Sequence, residues 1–572
     1  MKYSYLRRIY FLSAIAILFS LVLIVRLFLI QVVNGGNYSK MADQQYQKPV
    51  ADIFSRGSIL FQEKGGGLIS AATVKTVYVL AMNPNLVRDA ESAYQKINTL
   101  IPIDKAAFFE KARKINDPYE VIAKTEDRII GDSARALNLP GISVYKENQR
   151  YYPGGRLAAH LLGIVAQDKS EGDRFAGRYG LERFYDNILR RDSSSLYVNF
   201  FAEMFSNVKK TVSTDKQVFV DGDIVLSVEP NVESYLGKEL ASIQDKWSPD
   251  SIGGVIVEPK TGRIIAASFL PDFDPGDFTK ENPSVFSDPL VENVYEMGSI
   301  VKPLTISAGI DAGVIKPDTK YDDTGYVLLS GKRIENHDHK AMGIVDMQAV
   351  LDNSLNTGAV FVMKKLGRDK FRSYMESFGL GDKTGIDLPS ETHGLVSNLQ
   401  SHYDVDYATA AFGQGIAVTP IGAIRALSAL ANGGLIVRPH LADSINGAMG
   451  INKTTEVEVV RRVISSQTAG EITGMLVHAF EHGLLGGKYI IKQYSVAAKT
   501  GTAQIPDGKK GYSDKTLHSF FGYFPAYNAR FLVLLYMVNP KNGALFSSDT
   551  LAEPFVSVTK FLLNYYEIPP DR

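Results

Sequence analysis

The sequence predicts an α+β fold class in which an N-terminal membrane helix precedes an elongated mixed pedestal domain and a larger domain, whose antiparallel sheet is covered by helices. Three observations predict it: a long apolar run near the N-terminus, a change of composition near residue 221, and after it the order strand hairpin, helical block, strands. With 572 residues and 45% hydrophobic content, the chain is long enough for several cored domains. The expected segments are a cytoplasmic tail (1–8), a transmembrane anchor (9–33), a pedestal (34–220) and a larger C-terminal domain (221–572).

Charge and cysteine content exclude several classes of function. Lysine plus arginine equals aspartate plus glutamate at 62 each, so no net field attracts nucleic acid, and a nucleic-acid partner is not expected. The chain has 0 cysteines, which excludes disulfides, thiolate metal sites and cysteine nucleophiles. This composition suits a protein that works outside the reducing cytosol.

Residues 9–33 read "IYFLSAIAILFSLVLIVRLFLIQVV", an apolar run of roughly the length that spans a bilayer. It is longer than the apolar part of a typical signal peptide, and no small-x-small cleavage site follows it. Lys2, Arg7 and Arg8 precede the run, which favours a cytoplasmic N-terminus and an extracytoplasmic remainder. We therefore expect an uncleaved, single-pass protein of the inner (cytoplasmic) membrane.

The pedestal should combine short strands and helices. Strands are predicted at 76–82, 141–147 and 195–205, and a helix at 104–115.

The larger C-terminal domain should open with a strand at Asp221 and Gly222, followed by an amphipathic helix that Asn231 caps. Two β-branched runs joined by residues 258–262 predict a hairpin. Helical patterns dominate from Ser299 to about residue 430, and two strands, "HSFFGYFPAY" and "ARFLVLLYMVNP", are expected to close the chain.

The stretch "EMGSIVKPLTIS" (296–307) places a serine and a lysine one helical turn apart, at Ser299 and Lys302. Such a pair can serve as nucleophile and base. The pattern alone is weak, because Ser206 with Lys209 and Ser213 with Lys216 match it as well. Those two pairs lie in a charged connector, so we interpret them as solvated surface.

The order of motifs is more specific than any single motif. Ser299-x-x-Lys302 is followed about 55 residues later by Ser354-Leu355-Asn356, and then by Lys499-Thr500-Gly501-Thr502, the order found in penicillin-recognising serine enzymes. Other copies of Lys-Thr-Gly, at Lys260 and Lys383, fall in a predicted turn and a loop, whereas Lys499 lies on a predicted strand of small residues.

On these residues the chain resembles class B penicillin-binding proteins, membrane-anchored monofunctional peptidoglycan D,D-transpeptidases. The resemblance extends to "RGSI" (56–59), "YYPGGRLAAHLLG" (151–163) and "GRYGLERFYDNIL" (177–189) in the pedestal, and to "FGQGIAVTP" (412–420). Two departures stand out: "LFQEK" (60–64) replaces the usual Asp-Arg pair, and Met297 replaces a proline. The fold implied is a penicillin-binding, serine β-lactamase-like transpeptidase domain on a pedestal of the dimerisation type.

The motif residues suggest definite roles. Ser299 at a helix N-terminus would be the nucleophile, and Lys302 its base if burial and Lys499 lower the pKa of Lys302. Ser354 would relay the proton to the leaving amine, and Asn356 would orient Lys302 and the substrate.

The resemblance adds the substrate contacts. It implies an oxyanion hole formed by the N–H groups of Ser299 and Thr502. It also implies a carboxylate site made by Lys499, Thr500 and Thr502, with Gly501 between them.

The reaction that the resemblance implies is acyl transfer: Ser299 attacks a D-Ala-D-Ala stem peptide, D-Ala leaves, and an amine of a neighbouring stem forms the cross-link in cell-wall synthesis. β-Lactams would acylate the same serine. The implied partners are peptidoglycan stem peptides, β-lactams, a SEDS-family glycosyltransferase and other division proteins. By analogy, the Ser-x-Asn form and the compact pedestal favour the septal type over the elongation type.

Three other functions stay open: a catalytically silent scaffold, a β-lactam sensor and a D,D-carboxypeptidase. A sensor would need a cytoplasmic signalling region, and only residues 1–8 are expected there. A carboxypeptidase differs only in admitting water to the acyl-enzyme.

No cofactor or metal is expected. His337 and His339 form a His-x-His pair, but a zinc site needs further ligands, so we interpret "ENHDHKAMG" as a polar loop. In the pedestal motifs, Arg56 and Glu182 are expected to form a bidentate ion pair.

Overall fold

The computed structural model describes residues 19–21, 26, 55–114, 117–168, 174–191, 222–447, 452–508 and 511–572. Within these ranges, no helix has both the length and the apolar character that crossing a bilayer requires. Most of the predicted anchor, the predicted strand at 195–205 and the serine–lysine pairs at 206–216 lie outside the described residues.

The strands, in chain order, are β1 (Ile59–Gln62), β2 (Leu68–Met82), β3 (Glu120–Thr125), β4 (Ile142–Tyr151), β5 (Val165–Asp168), β6 (Arg174–Gly177), β7 (Gly222–Leu226), β8 (Ser251–Val257), β9 (Ile264–Leu270), β10 (Lys320–Asp323), β11 (Tyr326–Leu329), β12 (Lys332–Glu335), β13 (Gly343–Asp346), β14 (Leu435–Val437), β15 (Ala442–Gly447), β16 (Asn452–Thr454), β17 (Val459–Arg462), β18 (Ala497–Pro506), β19 (Tyr512–Phe524) and β20 (Phe531–Val538).

The α-helices are α1 (Ala90–Asn98), α2 (Lys105–Ala112), α3 (Arg128–Ala136), α4 (Ala159–Leu162), α5 (Gly180–Phe184), α6 (Asp186–Leu189), α7 (Pro230–Trp247), α8 (Lys302–Asp311), α9 (Met347–Asp352), α10 (Asn356–Leu366), α11 (Arg368–Ser377), α12 (Asp404–Ala410), α13 (Pro420–Ala431), α14 (Ser466–His478) and α15 (Ser547–Tyr565).

The chain divides into two compact units, residues 1–54 with 75–149 and residues 55–74 with 150–572. In the first, β2 from residue 78 onward pairs antiparallel with β3, and helices α1 to α3 supply a small core around Leu80, Ile97 and Phe108. Asp104 caps α2 by accepting from the N–H of Ala107. The predicted strands at 76–82 and 141–147 are confirmed by β2 and β4, and the helix predicted at 104–115 is confirmed over Lys105–Ala112.

The second unit contains a five-stranded sheet in the order β18-β19-β20-β8-β9, with every neighbouring pair antiparallel. Alternate residues point to opposite faces of a strand, so both faces must be covered. On one face, β-strand side chains such as Ile256 and Phe520 pack with helices α7 and α15; on the other, Val255 and Phe521 join the core that contains α8 and α13. The predicted sheet with helices on both sides is confirmed.

One local prediction was wrong, and two others were incomplete. Helix α7 is capped by the Glu229 carboxylate, which accepts from the N–H of Val232, because Pro230 already occupies the first turn and places Asn231 inside the helix. The two strands expected to close the chain are present as β19 and β20, but helix α15 follows them; its buried face packs on the sheet, and it accommodates Pro554 in its interior. The expected helical block also contains the short antiparallel pairs β10–β13 and β11–β12.

The predicted ion pair of Arg56 and Glu182 is confirmed, with Nε of Arg56 2.6 Å from Oε2 of Glu182. It is not the bidentate fork that we expected. Nη1 of Arg56 instead contacts Asp186 at 2.7 Å, and Nη2 donates to the backbone carbonyl of Glu182. Arg150 holds the other carboxylate oxygen of Glu182 at 2.6 Å, so a single buried carboxylate links two arginines.

The predicted boundary between pedestal and catalytic domain at residue 220 stays a prediction. The compact units divide elsewhere, since residues 55–74 and 150–191 belong to the unit that contains the sheet.

Candidate active site

The segment around Ser299 is a single 3₁₀ turn, Gly298–Val301, that continues into α8. Gly298 has φ +64°, and a Cβ at this position would lie 3.1 Å from Cβ of Ala503 and 3.3 Å from the backbone of Thr502. Its N–H donates to the carbonyl of Gly413 at 3.0 Å. A residue with a side chain would be strained and crowded there, so glycine is what allows Ser299 to lie against β18.

Lys302 begins α8 and is completely buried. Its Nζ donates to Oγ of Ser354 at 3.1 Å and also to the backbone carbonyl of Ser354. Burial, reinforced by the positive charge of Lys499, lowers the pKa of Lys302 well below its usual value. Pro303 fits the second position of the helix because the first turn demands no N–H donor.

Ser299 is half-buried, and its hydroxyl forms no hydrogen bond with any residue that the structure describes. The expected hydrogen bond between Ser299 and Lys302 is therefore not formed in the described structure. Lys302 donates to Ser354 instead. Its role as the base for Ser299 stays a prediction.

Ser354 lies between α9 and α10 with φ +52°, a conformation that a non-glycine residue adopts at a cost of about 1 to 2 kcal/mol. The N–H of Leu355 donates to the carbonyl of Val350 and closes this turn. Ser354, whose backbone is strained, is also the residue that accepts the hydrogen bonds from Lys302. Strained backbone conformations are common at functional sites.

Asn356 is the first residue of α10, and its Nδ2 donates to the carbonyl of Glu335 at 2.7 Å. It forms no hydrogen bond with Lys302 in the described structure. Asn356 thus holds the start of the loop that follows β12, and its predicted part in orienting Lys302 and the substrate stays a prediction.

Lys499, Thr500, Gly501 and Thr502 lie on β18, at one edge of the sheet, where an extended substrate has access to the free strand edge. Lys499 is 6% exposed, and burial lowers its pKa to about 8, against an opposing effect of Asp352. A Cβ on Gly501 would come within 2.4 Å of Oγ of Ser519 and 2.8 Å of the carbonyl of Met297. Glycine at 501 is thus required for β18 to meet the Ser299 turn.

Two further serines support this strand, and the sequence analysis did not identify them. Oγ of Ser519, opposite Gly501 on β19, donates to the carbonyl of Met297 at 2.8 Å and lies 3.2 Å from the carbonyl of Gly501. At the start of α15, the N–H of Ser547 donates to Oγ1 of Thr502 at 3.1 Å. Only strand register and the position of α15 reveal them, since neither belongs to a sequence motif.

The duplicate motifs are used elsewhere. Lys260 lies in the hairpin turn between β8 and β9, as predicted. In the copy at 383–385, the N–H and hydroxyl of Thr384 both donate to the carboxylate of Glu391, which stabilises a turn.

His337 and His339 lie in the loop between β12 and β13. Nδ1 of His339 is 3.1 Å from Oε2 of Glu335, and the ring of His337 packs edge-on against Phe546 at 5.9 Å. Burial is the main cause that lowers the pKa of His337. Within the described ranges, no group of three or more acidic or histidine side chains is arranged to hold a metal ion.

Together these elements place Ser299, at a helix N-terminus, beside the buried Lys302 and beside Ser354. All three lie next to the edge strand β18, which carries the second buried lysine, Lys499. This arrangement suits acyl transfer through a serine ester, in which a carboxylate of the substrate would meet Lys499.

Comparison with known proteins defines the class. Residues 252–557 match the penicillin binding protein transpeptidase domain, and residues 55–217 match the penicillin-binding protein dimerisation domain. The chain belongs to the penicillin-binding protein transpeptidase family.

Individual relatives narrow the class further. Stage V sporulation protein D of Bacillus subtilis is 30% identical over 561 residues, covering 96% of this chain and 84% of that protein. Peptidoglycan D,D-transpeptidase FtsI of Escherichia coli K12 is 25% identical over 562 residues, covering 95% and 89%. The crystal structure of penicillin binding protein 2X from Streptococcus thermophilus shares the fold, with a TM-score of 0.73, 20% identity, and coverage of 90% of this chain and 81% of that one.

Proposed function

We propose that this protein is a peptidoglycan D,D-transpeptidase, which cross-links stem peptides through an acyl-enzyme on Ser299 and is inhibited by β-lactams. The observation that carries the proposal is the hydrogen bond from the buried Lys302 to Ser354 beside the edge strand of Lys499. A neutral lysine in this position can accept the serine proton, and Ser354 can pass it to the leaving amine. The full-length similarity to proteins named D,D-transpeptidases supports the same reaction.

Covalent labelling by a fluorescent penicillin tests the nucleophile. The wild-type protein should be labelled, and Ser299→Ala should abolish the label because the attacking hydroxyl is gone. Ser206→Ala and Ser213→Ala are matched controls that should label as the wild type does. An adduct located by mass spectrometry outside residues 296–307 would contradict the assignment, and a wild type that never labels would favour the silent scaffold.

Lys302→Ala tests the base. Loss of a positioned proton acceptor should slow acylation by about a hundred- to ten-thousand-fold while Ser299 remains in place. Lys383→Ala, an exposed lysine of a duplicate motif, should acylate at the wild-type rate. Equal rates for Lys302→Ala and wild type would exclude Lys302 as the base.

A second experiment distinguishes a transpeptidase from a carboxypeptidase by comparing the amount of D-Ala released with the amount of cross-linked dimer formed.

We further propose a septal role at the cell inner membrane, with residues 9–33 as a single-pass anchor and a SEDS-family glycosyltransferase as partner. The Ser-x-Asn form at 354–356 and the similarity to proteins named FtsI support it. Depletion should produce undivided filaments, and rounded cells would instead favour an elongation role. Recovery of the protein from the soluble fraction of lysed cells would contradict the anchor.

A further inference from the structure

A cavity of about 430 Å³ opens beside Ser354, Lys499 and Thr500. Its walls include the loop between β12 and β13, the end of α9 and the turn at 479–485 after α14, together with Ala498 of β18, Phe520 of β19 and Ser548 of α15. Ser299 and Thr502 are not among its lining residues. The cavity therefore opens beside residues proposed to hold the leaving D-alanine, while Ser299 itself does not line it.

The direction of the cavity matters because the acceptor must follow the path that the leaving amine takes. In the second half of the reaction, the acceptor amine attacks the ester carbonyl, the C–N bond forms and the bond from carbon to Oγ of Ser299 breaks. The amine proton returns through Ser354 to Oγ of Ser299, which reverses the first step. An acceptor of amino-acid type would place its carboxylate at Lys499 and Thr500, where the carboxylate of D-alanine was. The side chain of the acceptor would then lie where the methyl group of D-alanine was, and a longer side chain could extend into the cavity.

The cavity wall contains solvent-exposed apolar surface. Met342 and Leu485 line it and are 46% and 44% exposed, and Leu484 and Ala341 lie beside them. Large exposed apolar side chains that cluster at a concave site typically contact a ligand. Asp338 and Lys340 are exposed at the same cavity and leave it open to water.

The loop that carries Met342 is held firmly at both ends. Asp323 is 1% exposed and accepts from Nδ2 of Asn336 at 3.0 Å, from Oγ1 of Thr357 at 2.7 Å and from the N–H of Met342 at 3.0 Å. Asn356 holds the carbonyl of Glu335 just before the loop. A wall fixed by a buried, satisfied polar network is preorganised for binding.

We propose that this cavity is the acceptor subsite and that Met342 and Leu485 select an amino-acid acceptor with an aliphatic arm of several methylenes over one with a methyl side chain. The inference rests on the proposed transpeptidase function. The arm lies along Met342 and Leu485 while the α-amine faces the acyl-enzyme beside Ser354. Each methylene removed from water adds to the preference for the longer acceptor.

Aminolysis tests the proposal on the full-length protein, with an N-acylated D-alanyl thioester as acyl donor and D-norleucine or D-alanine as acceptor. The wild type should form the norleucine product about ten times faster than the alanine product, since part of the longer side chain is buried. In the double variant Met342→Gln with Leu485→Asn, the ratio should fall close to one; asparagine tolerates the φ of +48° at 485. Leu328→Gln, 63% exposed and outside the cavity, is the control that should keep the wild-type ratio.

The rate of norleucine product relative to alanine product is measured separately for each variant. A change in the rate of acylation affects both products equally and therefore leaves this ratio unchanged. A wild type that prefers neither acceptor, forms neither product, or keeps its preference in the double variant overturns the acceptor subsite. Fluorescent penicillin labelling, measured in parallel, separates this result from failure of the proposed function, because a protein that is not acylated by either reagent has no Ser299 ester to transfer.

Discussion

Two buried lysines determine the chemistry of the cleft at the scale of single residues. Lys302 is fully buried and Lys499 nearly so, and each is a positive charge that the low-dielectric interior disfavours. The nearby charge of Lys499 lowers the pKa of Lys302 further, whereas the carboxylate of Asp352 partly offsets the lowering of the pKa of Lys499. The two lysines are thereby distinguished: Lys302 is suited to accept a proton, and Lys499, with a pKa of about 8, still carries a charge for a carboxylate.

Gly298→Ala should impair the site through backbone strain and crowding. Both Gly298 (φ +64°) and the control Gly313 (φ +68°) occupy left-handed conformations, so alanine at either should cost about 1 to 2 kcal/mol of stability. Only at Gly298 would the new Cβ press on Ala503 and Thr502; at Gly313 nothing lies within 4 Å. We expect penicillin acylation to fall at least about tenfold in Gly298→Ala alone, as displacement of a nucleophile costs rate steeply. Equal acylation rates in both variants would refute this account.

At the scale of elements, the buried carboxylate of Glu182 joins the segment before β1 to β4 and α5. It is 0% exposed and lies between Arg56 and Arg150, and the hydroxyl of Tyr152 donates to it at 3.4 Å. Charges buried in this way depend on one another, because removal of one leaves the others uncompensated.

Glu182→Gln should lower the free energy of unfolding by about 3 to 5 kcal/mol, since two buried arginines would lose their shared counter-charge. Glu567→Gln provides the matched control: its partner is Lys64, its side chain is 83% exposed, and the substitution should leave the free energy of unfolding nearly unchanged. Chemical denaturation of both purified variants measures the difference. A cost for Glu182→Gln as small as that of the control would mean that the network contributes only packing.

For the whole molecule, buried titratable groups link stability to pH. Burial raises the pKa of Glu233 to about 7 and that of Asp288 to about 8. It lowers the pKa of His160 and of His518 to about 4. The carboxyls therefore contribute stability that is lost as pH rises, and the histidines contribute stability that is lost as pH falls from about 6.5 through their folded pKa.

Above about pH 6.5 the unfolded histidines are neutral, so the remaining effects come from the two carboxyls and from Lys302, whose lowered pKa makes stability change with pH in the opposite direction. The contribution of these two carboxyls to the free energy of unfolding should decrease between about pH 6.5 and 8, by on the order of 1 kcal/mol for each pH unit over which one of them holds its proton only in the folded state. Glu233→Gln combined with Asp288→Asn should flatten this dependence because the neutral amides do not titrate. The exposed Glu553→Gln should retain the wild-type profile, and a decrease that persists in the double variant would exclude these two groups as its source.

The fold class and the motif residues could be predicted from the sequence because their signals are local. Two apolar, β-branched runs indicated the hairpin of β8 and β9, and the order of Ser299, Ser354 and Lys499 indicated a penicillin-recognising serine enzyme. The ion pair of Arg56 and Glu182 could be predicted from the pedestal motifs. The additional contacts, of Arg56 with Asp186 and of Glu182 with Arg150, could not.

Tertiary structure alone decided which partners these residues have. The sequence indicated that Lys302 is near a serine, but the turn at Ser354 brings that residue, rather than Ser299, to its Nζ. Ser519 and Ser547 support the edge strand through pairing of β19 and docking of α15, contacts between residues far apart in the chain. The acceptor cavity likewise depends on Asp323 holding a distant loop. Local pattern determines which elements form, because propensity and periodicity act over a few residues; long-range packing determines which side chains meet, because that depends on how the elements are arranged in space.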